Sequence, residues 1–294
     1  MKLTILFFLL SFSAFAQFSI RHSDAIPLHG QWSFAMDTRE VGATKGWYKD
    51  NYAVGAWDKV SVPHCFSVDP RYQFYTGTVW YRKSFPWQVQ SGKRILLHFD
   101  AAYYATTVWL NNQKIGTHEG GYTPFHFDIT DYLKSGDNVL AVSVNNDTWQ
   151  TGSIPGAKDN GNANDPFPGW INYGGLVRPV YLTIEPELYF ENLKIDAQPD
   201  LATGTATLRL QARVRNASSQ TQNPKLITSV MLGNQALKLV WKNASTSVGA
   251  GKTGLLEAET SLKAADVKLW NIDSPQLYQL QAVVGSDTLS SSFG

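Results

Sequence analysis

The chain has only one cysteine, Cys65, among its 294 residues, and charged side chains make up only 17% of it. A single cysteine excludes a disulfide within the chain, so packing and hydrogen bonds hold the fold together. The 25 basic and 24 acidic residues nearly cancel, which gives no reason to expect a nucleic acid or an anionic membrane surface as partner. The six histidines lack the paired spacing of a zinc site, so we expect neither a metal nor a cofactor.

Long hydrophobic runs are also lacking. The apolar run Leu3–Leu10 is shorter than the roughly 20 residues that span a membrane. Lys2 precedes this run and the small residues Ala14 and Ala16 follow it, which is typical of a signal peptide over residues 1–16. No cysteine stands at the cleavage site to carry a lipid anchor. We therefore expect a bacterial periplasmic or secreted protein whose mature chain starts at Gln17.

Helical periodicity is almost absent, whereas short alternating strands recur along the chain. Strands are predicted at 94–99, 138–144 and 177–184. In the second of these, Leu140, Val142 and Val144 face one side of the strand. A further strand, 106–110, leads into Asn111-Asn112, a pair that tolerates the left-handed backbone of a tight hairpin turn. The pattern predicts an all-β chain of two sandwiches.

Composition changes near residues 185–187. Upstream the sequence is dense in Trp, Tyr, Phe and Gly, and downstream it turns to Ala, Thr, Ser, Leu and Val with regular strands at 206–214 and 226–232. Residues 263–269 are compatible with either a helical turn or a loop. We predict a first domain over residues 17–185 and a second over residues 186–294.

Six motifs in order carry a family resemblance. They are L-H-G-Q-W-S-F at 28–34, W-x-x-V-x-V-P-H at 57–64, F-Y-T-G-T-V-W-Y-R-K-S-F at 74–85, the run at 99–133 with its Gly120-Gly121 corner, G-G-L-V-R-P-V at 174–180, and L-W-N with P-Q-L-Y-Q-L at 269–280. Together they resemble the N-terminal part of glycoside hydrolase family 2, which contains β-galactosidases, β-glucuronidases and β-mannosidases. The resemblance implies a jelly-roll (galactose-binding-like) sugar-binding domain followed by an immunoglobulin-like sandwich.

The resemblance also implies that the catalytic half of such an enzyme lies outside these residues. Retaining hydrolysis needs two carboxylates about 5–5.5 Å apart. In family 2 both are Glu on a (β/α)₈ barrel that follows the immunoglobulin-like domain, and the acid/base Glu follows an Asn. This chain has no Asn-Glu dipeptide and no alternating βα pattern. Residues 290–294, S-S-S-F-G, resemble the start of the strand that leads into the barrel, which predicts a fragment whose partner is its own C-terminal barrel.

The segment 149–173 is the predicted contribution to a substrate pocket. Loops of this length are often functional, and its amides, carboxylates and aromatic rings suit an oligosaccharide or glycoside. Family members place an Asp six residues before the second Gly of the signature, a position occupied by Gly169 here. The resemblance therefore assigns substrate binding to the nearest Asp and to the polar and aromatic residues before the signature, namely Asp165, Trp170, Asn172 and Tyr173. No catalytic residue is predicted within the chain.

Two other functions remain open. Jelly-roll sandwiches also serve as stand-alone carbohydrate-binding modules, and a double sandwich can be purely structural or adhesive. β-Galactosidase is the default activity because it is the commonest in the family.

Arg178 is expected to clamp a carboxylate or backbone carbonyls through its guanidinium fork. The large aromatics are expected to be core residues, namely Trp32, Trp80, Trp109, Trp270 and Tyr278.

Overall fold

The computed structural model describes residues 17–18, 25–147, 172–243 and 246–294. These residues form strands and three single-turn 3-10 helices, at Phe66–Val68, Thr130–Tyr132 and Ala264–Asp266, with no α-helix in the described ranges. The all-β prediction is confirmed. The strands are β1 (Gln17–Phe18), β2 (Ile26–Pro27), β3 (Gly30–Met36), β4 (Asp58–Val62), β5 (Thr78–Trp87), β6 (Lys93–Phe99), β7 (Ala105–Leu110), β8 (Gln113–Glu119), β9 (Phe125–Asp128), β10 (Gly136–Asn145), β11 (Val180–Pro186), β12 (Leu188–Pro199), β13 (Ala206–Asn216), β14 (Ile227–Leu232), β15 (Gln235–Ala236), β16 (Lys242–Asn243), β17 (Lys252–Leu262), β18 (Tyr278–Val284) and β19 (Asp287–Phe293).

Among the described residues, no helix is both long enough and apolar enough to cross a membrane.

Backbone contacts divide the chain into two compact units. The first, residues 23–185, is a sandwich of a six-stranded sheet, β4-β3-β5-β10-β7-β8, and a four-stranded sheet, β2-β11-β6-β9. Strand β10 supplies Leu140, Val142 and Val144 to the core, in the predicted alternation, and β6 supplies Leu97 and Phe99 from the opposite sheet. Each side chain is fully buried, because alternate residues of facing strands point into the same interior.

Outside this core, a cluster of aromatic residues covers the outer face of the six-stranded sheet. Trp80 and Trp109 are buried there, with ring centroids 4.9 Å apart, and Tyr48 stacks on Trp109 at 5.4 Å. Tyr48 belongs to the irregular segment 37–57, which folds over this face. The prediction that both tryptophans are core residues is confirmed, and these strands are covered on both faces.

The hairpin β7–β8 turns at Asn111 and Asn112, as predicted. Both residues have positive φ angles, 49° and 74°, which short Asn side chains tolerate. The Asn111 amide also donates to Asn138 Oδ1 at 2.6 Å, and its Oδ1 accepts the backbone N–H of Val139 at 3.0 Å. The turn residue therefore fixes the hairpin to β10 as well as closing it.

The second unit comprises residues 186–294 together with β1, and it is also a sandwich. Its five-stranded sheet runs β1-β12-β13-β17-β16 and its four-stranded sheet runs β15-β14-β18-β19. Tyr278 is buried in its core, as predicted, with its ring stacked 5.1 Å from that of Phe293. The prediction for Trp270 is wrong, because its side chain is 50% exposed on the loop before β18.

Candidate functional site

The G-G-L signature at 174–176 lies between two other segments of the first unit. On one side the backbone N–H of His64 donates to Leu176 O at 2.7 Å, and that of Phe66 donates to Gly174 O at 3.0 Å. On the other side Tyr103 pairs with Gly175 in an isolated antiparallel bridge. Three segments distant in sequence thus meet at one end of the sandwich, beside residue 172, where the described chain resumes after 147.

Both signature glycines are required by close packing. A Cβ on Gly174 would lie 2.6 Å from the Phe66 ring. Gly175 has φ +126°, and a Cβ there would lie 2.4 Å from His64 O and 2.6 Å from the Tyr81 hydroxyl. Only glycine combines this backbone conformation with the absence of a side chain. The glycine pair therefore lets the signature approach its neighbours closely.

Asn146 is the polar centre of this end. Its buried side chain accepts the Gly77 N–H at 2.9 Å and donates to the carbonyl oxygens of Tyr75 and Tyr173, both at 3.3 Å. Its backbone oxygen accepts a hydrogen bond from Asn172 Nδ2 at 2.7 Å. One asparagine thereby holds both ends of the segment 148–171 and the loop before β5. The Oδ1 of Asn172 is buried and has no hydrogen-bond partner among the described residues.

Three tyrosines from different segments surround the same point. The ring of Tyr173 lies 4.4 Å from that of Tyr103, and the Tyr122 ring lies 6.0 Å from that of Tyr103. Burial raises the pKa of Tyr173, and a side-chain hydrogen bond with Tyr122 adds to the effect. Gly121 makes room for this arrangement, since a Cβ there would lie 2.1 Å from the Tyr103 ring. Tyr122 itself is 54% exposed. The Tyr122 ring is therefore open to solvent, whereas the rings of Tyr103 and Tyr173 pack on each other.

Two histidines near this end are half-buried, and they are hydrogen-bonded or stacked rather than placed for proton transfer. His64 Nδ1 lies 2.9 Å from the Tyr81 hydroxyl, and burial lowers the pKa of His64, an effect that the charge of Asp69 partly offsets. The ring of His118 stacks on Phe125 at 4.0 Å, and burial likewise lowers its pKa. In both cases burial disfavours the charged imidazolium.

Of the predicted site residues, Asn172 and Tyr173 lie side by side in the constellation just described. Asp165 and Trp170, with most of the segment 149–173, lie outside the described residues. Sequence reasoning did not single out Tyr103, Tyr122 or Asn146. The signals available were a Gly-Gly pair directly before Tyr122 and an Asn-Asn pair at the end of β10.

Two other expectations concern Arg178 and metal binding. The Arg178 side chain is exposed, and in the part of the chain that the structure covers it forms neither an ion pair nor a hydrogen bond, so the predicted clamp is not observed there. Within the described ranges, no group of three or more His, Cys, Asp or Glu residues is arranged to hold a metal ion.

Comparison with protein-family models matches nearly all of the chain. Residues 26–186 match the model described as the sugar binding domain of glycosyl hydrolases family 2, and residues 188–294 match a second model, glycosyl hydrolases family 2. The two matched regions correspond to the two sandwiches.

Among curated relatives, a β-galactosidase of Thermoanaerobacter pseudethanolicus is 28% identical over 240 residues, covering 79% of this chain and 30% of the relative. A β-glucuronidase of Formosa agariphila is 24% identical over 283 residues, covering 86% of this chain and 28% of the relative. The chain thus spans less than a third of the length of these two relatives.

Solved structures share the fold. Bacteroides uniformis β-glucuronidase 2 superposes with a TM-score of 0.74 at 24% identity, over 91% of this chain and 32% of that one. A β-glucuronidase from Ruminococcus gnavus superposes with a TM-score of 0.71 at 25% identity, over 94% of this chain and 45% of that one. With both family models matched in order, this chain belongs to glycoside hydrolase family 2 and carries its sugar-binding domain and its immunoglobulin-like domain.

Proposed function

We propose that this chain is the non-catalytic N-terminal part of an exported family 2 glycosidase that cleaves terminal β-glycosides with retention of configuration. In this role the two sandwiches support the catalytic barrel, and the segment 149–173 contributes to the substrate pocket. Relatives carry the names of both β-galactosidases and β-glucuronidases. The proposed substrate is accordingly a terminal β-galactoside or β-glucuronide.

The observation that carries the pocket proposal is the constellation at the two ends of the segment 148–171. Tyr122 offers an exposed aromatic face, of the kind that stacks on the apolar face of a pyranose. The amide oxygen of Asn172 is buried and accepts no hydrogen bond from the described residues. A sugar hydroxyl can donate the hydrogen bond that this oxygen lacks. Asn146 fixes these positions because its buried side chain donates to Tyr173 O and its backbone oxygen accepts from Asn172 Nδ2. Preorganised polar groups of this kind are what a sugar-binding loop needs.

Export is proposed from residues 1–16 alone. The test is expression with the native N-terminus in a Gram-negative bacterium, followed by mass spectrometry of the periplasmic protein. A mature chain starting at Gln17 supports the proposal. Leu6→Arg, which places a charge in the apolar run, is expected to keep the chain in the cytoplasm, while Ser13→Ala leaves its export unchanged. Intact residues 1–16 on the periplasmic protein would contradict the assignment.

The function is tested by sequencing the gene downstream of the Gly294 codon and assaying the complete product. We expect a frame long enough for a barrel of about 250 residues, with an Asn-Glu pair and a second Glu. The complete product is expected to release nitrophenol from a nitrophenyl β-galactoside or β-glucuronide, whereas residues 17–294 alone release none. A stop codon after Gly294, with binding on a glycan array that Tyr122→Ala abolishes, would instead make the chain a carbohydrate-binding module.

A further inference from the structure

Arg82, in the middle of β5, is a buried cation on the outer face of the six-stranded sheet. Only 6% of the residue is exposed. Its Nη1 donates to Tyr52 O at 2.8 Å and its Nη2 donates to Asp50 O at 3.5 Å. Its Nε–H is buried and has no acceptor among the described residues. Both acceptors are neutral carbonyls, whereas a guanidinium removed from water is stabilised by an anionic partner.

The neighbours of Arg82 on this face add positive charge and further donors. Strand pairing places Ser33 of β3 opposite Arg82, and Lys59 of β4 opposite Ser33. Lys59 Nζ donates to Ser33 Oγ at 2.7 Å, so the Ser33 hydroxyl keeps its own hydrogen as a donor. On the other side Arg82 pairs with Ala141 of β10, which has no polar side chain. This row of the sheet therefore attracts an anion.

Asp50 is the carboxylate whose charge acts on Arg82. Burial lowers the pKa of Arg82, and the charges of Asp50 and Tyr52 offset this effect only in part. The Asp50 side chain is 40% exposed, and its Oδ2 lies 3.9 Å from Lys134 Nζ. Its charge is thus screened by water and shared with a second cation, so the Arg82 charge is only partly compensated.

Trp47 supplies another unpaired donor beside Arg82. Its indole Nε1 is buried and has no acceptor within the described ranges. The Trp47 ring lies 6.1 Å from that of Trp80, which stands two residues before Arg82 on the same face of β5. It also lies 6.1 Å from the ring of Tyr52, whose carbonyl oxygen accepts from Arg82. Folded proteins rarely leave buried N–H groups unpaired, so two such groups in one region indicate a bound acceptor.

We propose that Arg82 and Trp47 form a binding site for a small inorganic anion, chloride being the representative, beneath the segment 37–57. The Arg82 Nε–H and the Trp47 Nε1–H donate to the anion, and the Ser33 hydroxyl and the charge of Lys59 favour it. A water molecule can accept the same hydrogen bonds but leaves the positive charges uncompensated. Because Trp47 belongs to the segment 37–57, the bound anion fastens this segment to the sheet.

The test is the thermal midpoint of the purified chain in sodium chloride and in sodium gluconate at equal ionic strength, which keeps the screening of surface charges the same. We expect the midpoint to rise by about 3 °C or more for each tenfold rise in chloride above its dissociation constant, because the anion binds only the folded state. Gluconate, a bulky anion, is expected to give no such rise. Equal midpoints in the two salts at every concentration would overturn the proposal.

Trp47→Phe removes the indole N–H and keeps an aromatic ring in place. It is expected to lose more than half of the chloride response in a chain that still unfolds cooperatively. Trp57→Phe, the same change in a ring 5.3 Å from that of Trp47, is the matched control and is expected to keep the full response. Equal chloride responses in the two variants would exclude Trp47 from the site.

The position of the anion is tested by diffraction from crystals grown in sodium bromide. Bromide scatters anomalously, and we expect its peak within hydrogen-bonding distance of both Arg82 Nε and Trp47 Nε1. An ordered water molecule at these donors, with no bromide peak, would assign them to hydration and refute the anion site.

Discussion

Tyr103 and Gly175 exchange both of their backbone hydrogen bonds, at 2.9 and 3.0 Å, in a single bridge outside the regular sheets. This bridge lies directly beneath the tyrosine cluster, because Tyr173 stands two residues before Gly175 and packs on the Tyr103 ring. The signature therefore forms the rigid base of the candidate site rather than its binding surface.

Gly175→Ala is expected to destabilise the first unit by about 3 kcal/mol or more, because it combines a positive φ with clashes against His64 O and the Tyr81 hydroxyl. Gly55→Ala is the matched control, since a Cβ there meets nothing within 4 Å. Thermal unfolding followed by tryptophan fluorescence measures the change. Eight of the ten tryptophans lie in residues 23–185, so the signal reports mainly this unit. Equal midpoints for the two variants would refute the packing argument.

Asn146→Ala is expected to lower the free energy of unfolding by about 2–4 kcal/mol, because it leaves a buried N–H of Gly77 and two carbonyl oxygens without their partner. Asn51→Ala, at an exposed position, is expected to change it by less than about 0.5 kcal/mol. Urea unfolding provides both values. A loss no larger than that of the control would show that Asn146 does not hold the ends of the segment 148–171.

Trp109→Ala is expected to destabilise the chain by about 3–5 kcal/mol, since the ring is buried between Trp80 and Tyr48. Trp270→Ala, at a half-exposed ring, is expected to cost less than about 1 kcal/mol in residues 17–294. Calorimetry of the two variants gives the comparison. Similar losses at both positions would mean that Trp270 contributes to the core after all.

Stability is expected to fall as the pH drops below about 6.5, because His64 and His118 have lowered pKa values in the folded chain. Between the folded pKa and 6.5 the unfolded state binds more protons, so protonation favours unfolding. One such group contributes a slope of at most about 1.4 kcal/mol per pH unit. Urea unfolding between pH 5.5 and 7.5 measures it.

His64→Gln is expected to reduce this slope, and His29→Gln, at an exposed position, is the control. An unchanged slope in His64→Gln would assign the pH dependence to other groups.

The regular parts of the fold were predictable because alternation and turn chemistry are local. The hairpin at Asn111-Asn112 and the inward face of β10 follow from a few neighbouring residues. Trp270 was assigned wrongly because hydrophobicity favours burial without fixing it, and this residue lies half-exposed on the loop before β18.

The candidate site was only half predictable for a similar reason. Asn172 and Tyr173 stand next to a recognisable signature, whereas Tyr103, Tyr122 and Asn146 reach it from distant segments. Their convergence depends on the pairing of Tyr103 with Gly175 and on the side-chain hydrogen bonds of Asn146. Neither interaction leaves a periodic trace in the sequence.

The two hydrogen bonds that join Asn146 to Asn172 and Tyr173 bring the ends of the segment 148–171 together, which affects how its length can vary. Because Asn172 Nδ2 and Tyr173 O both bond to Asn146, the 24 intervening residues begin and end at nearly the same place. Doubling the length of a loop whose ends are already close costs only about 0.6 kcal/mol in closure entropy. Insertions and deletions between residues 148 and 171 are therefore expected to leave the sandwich unchanged.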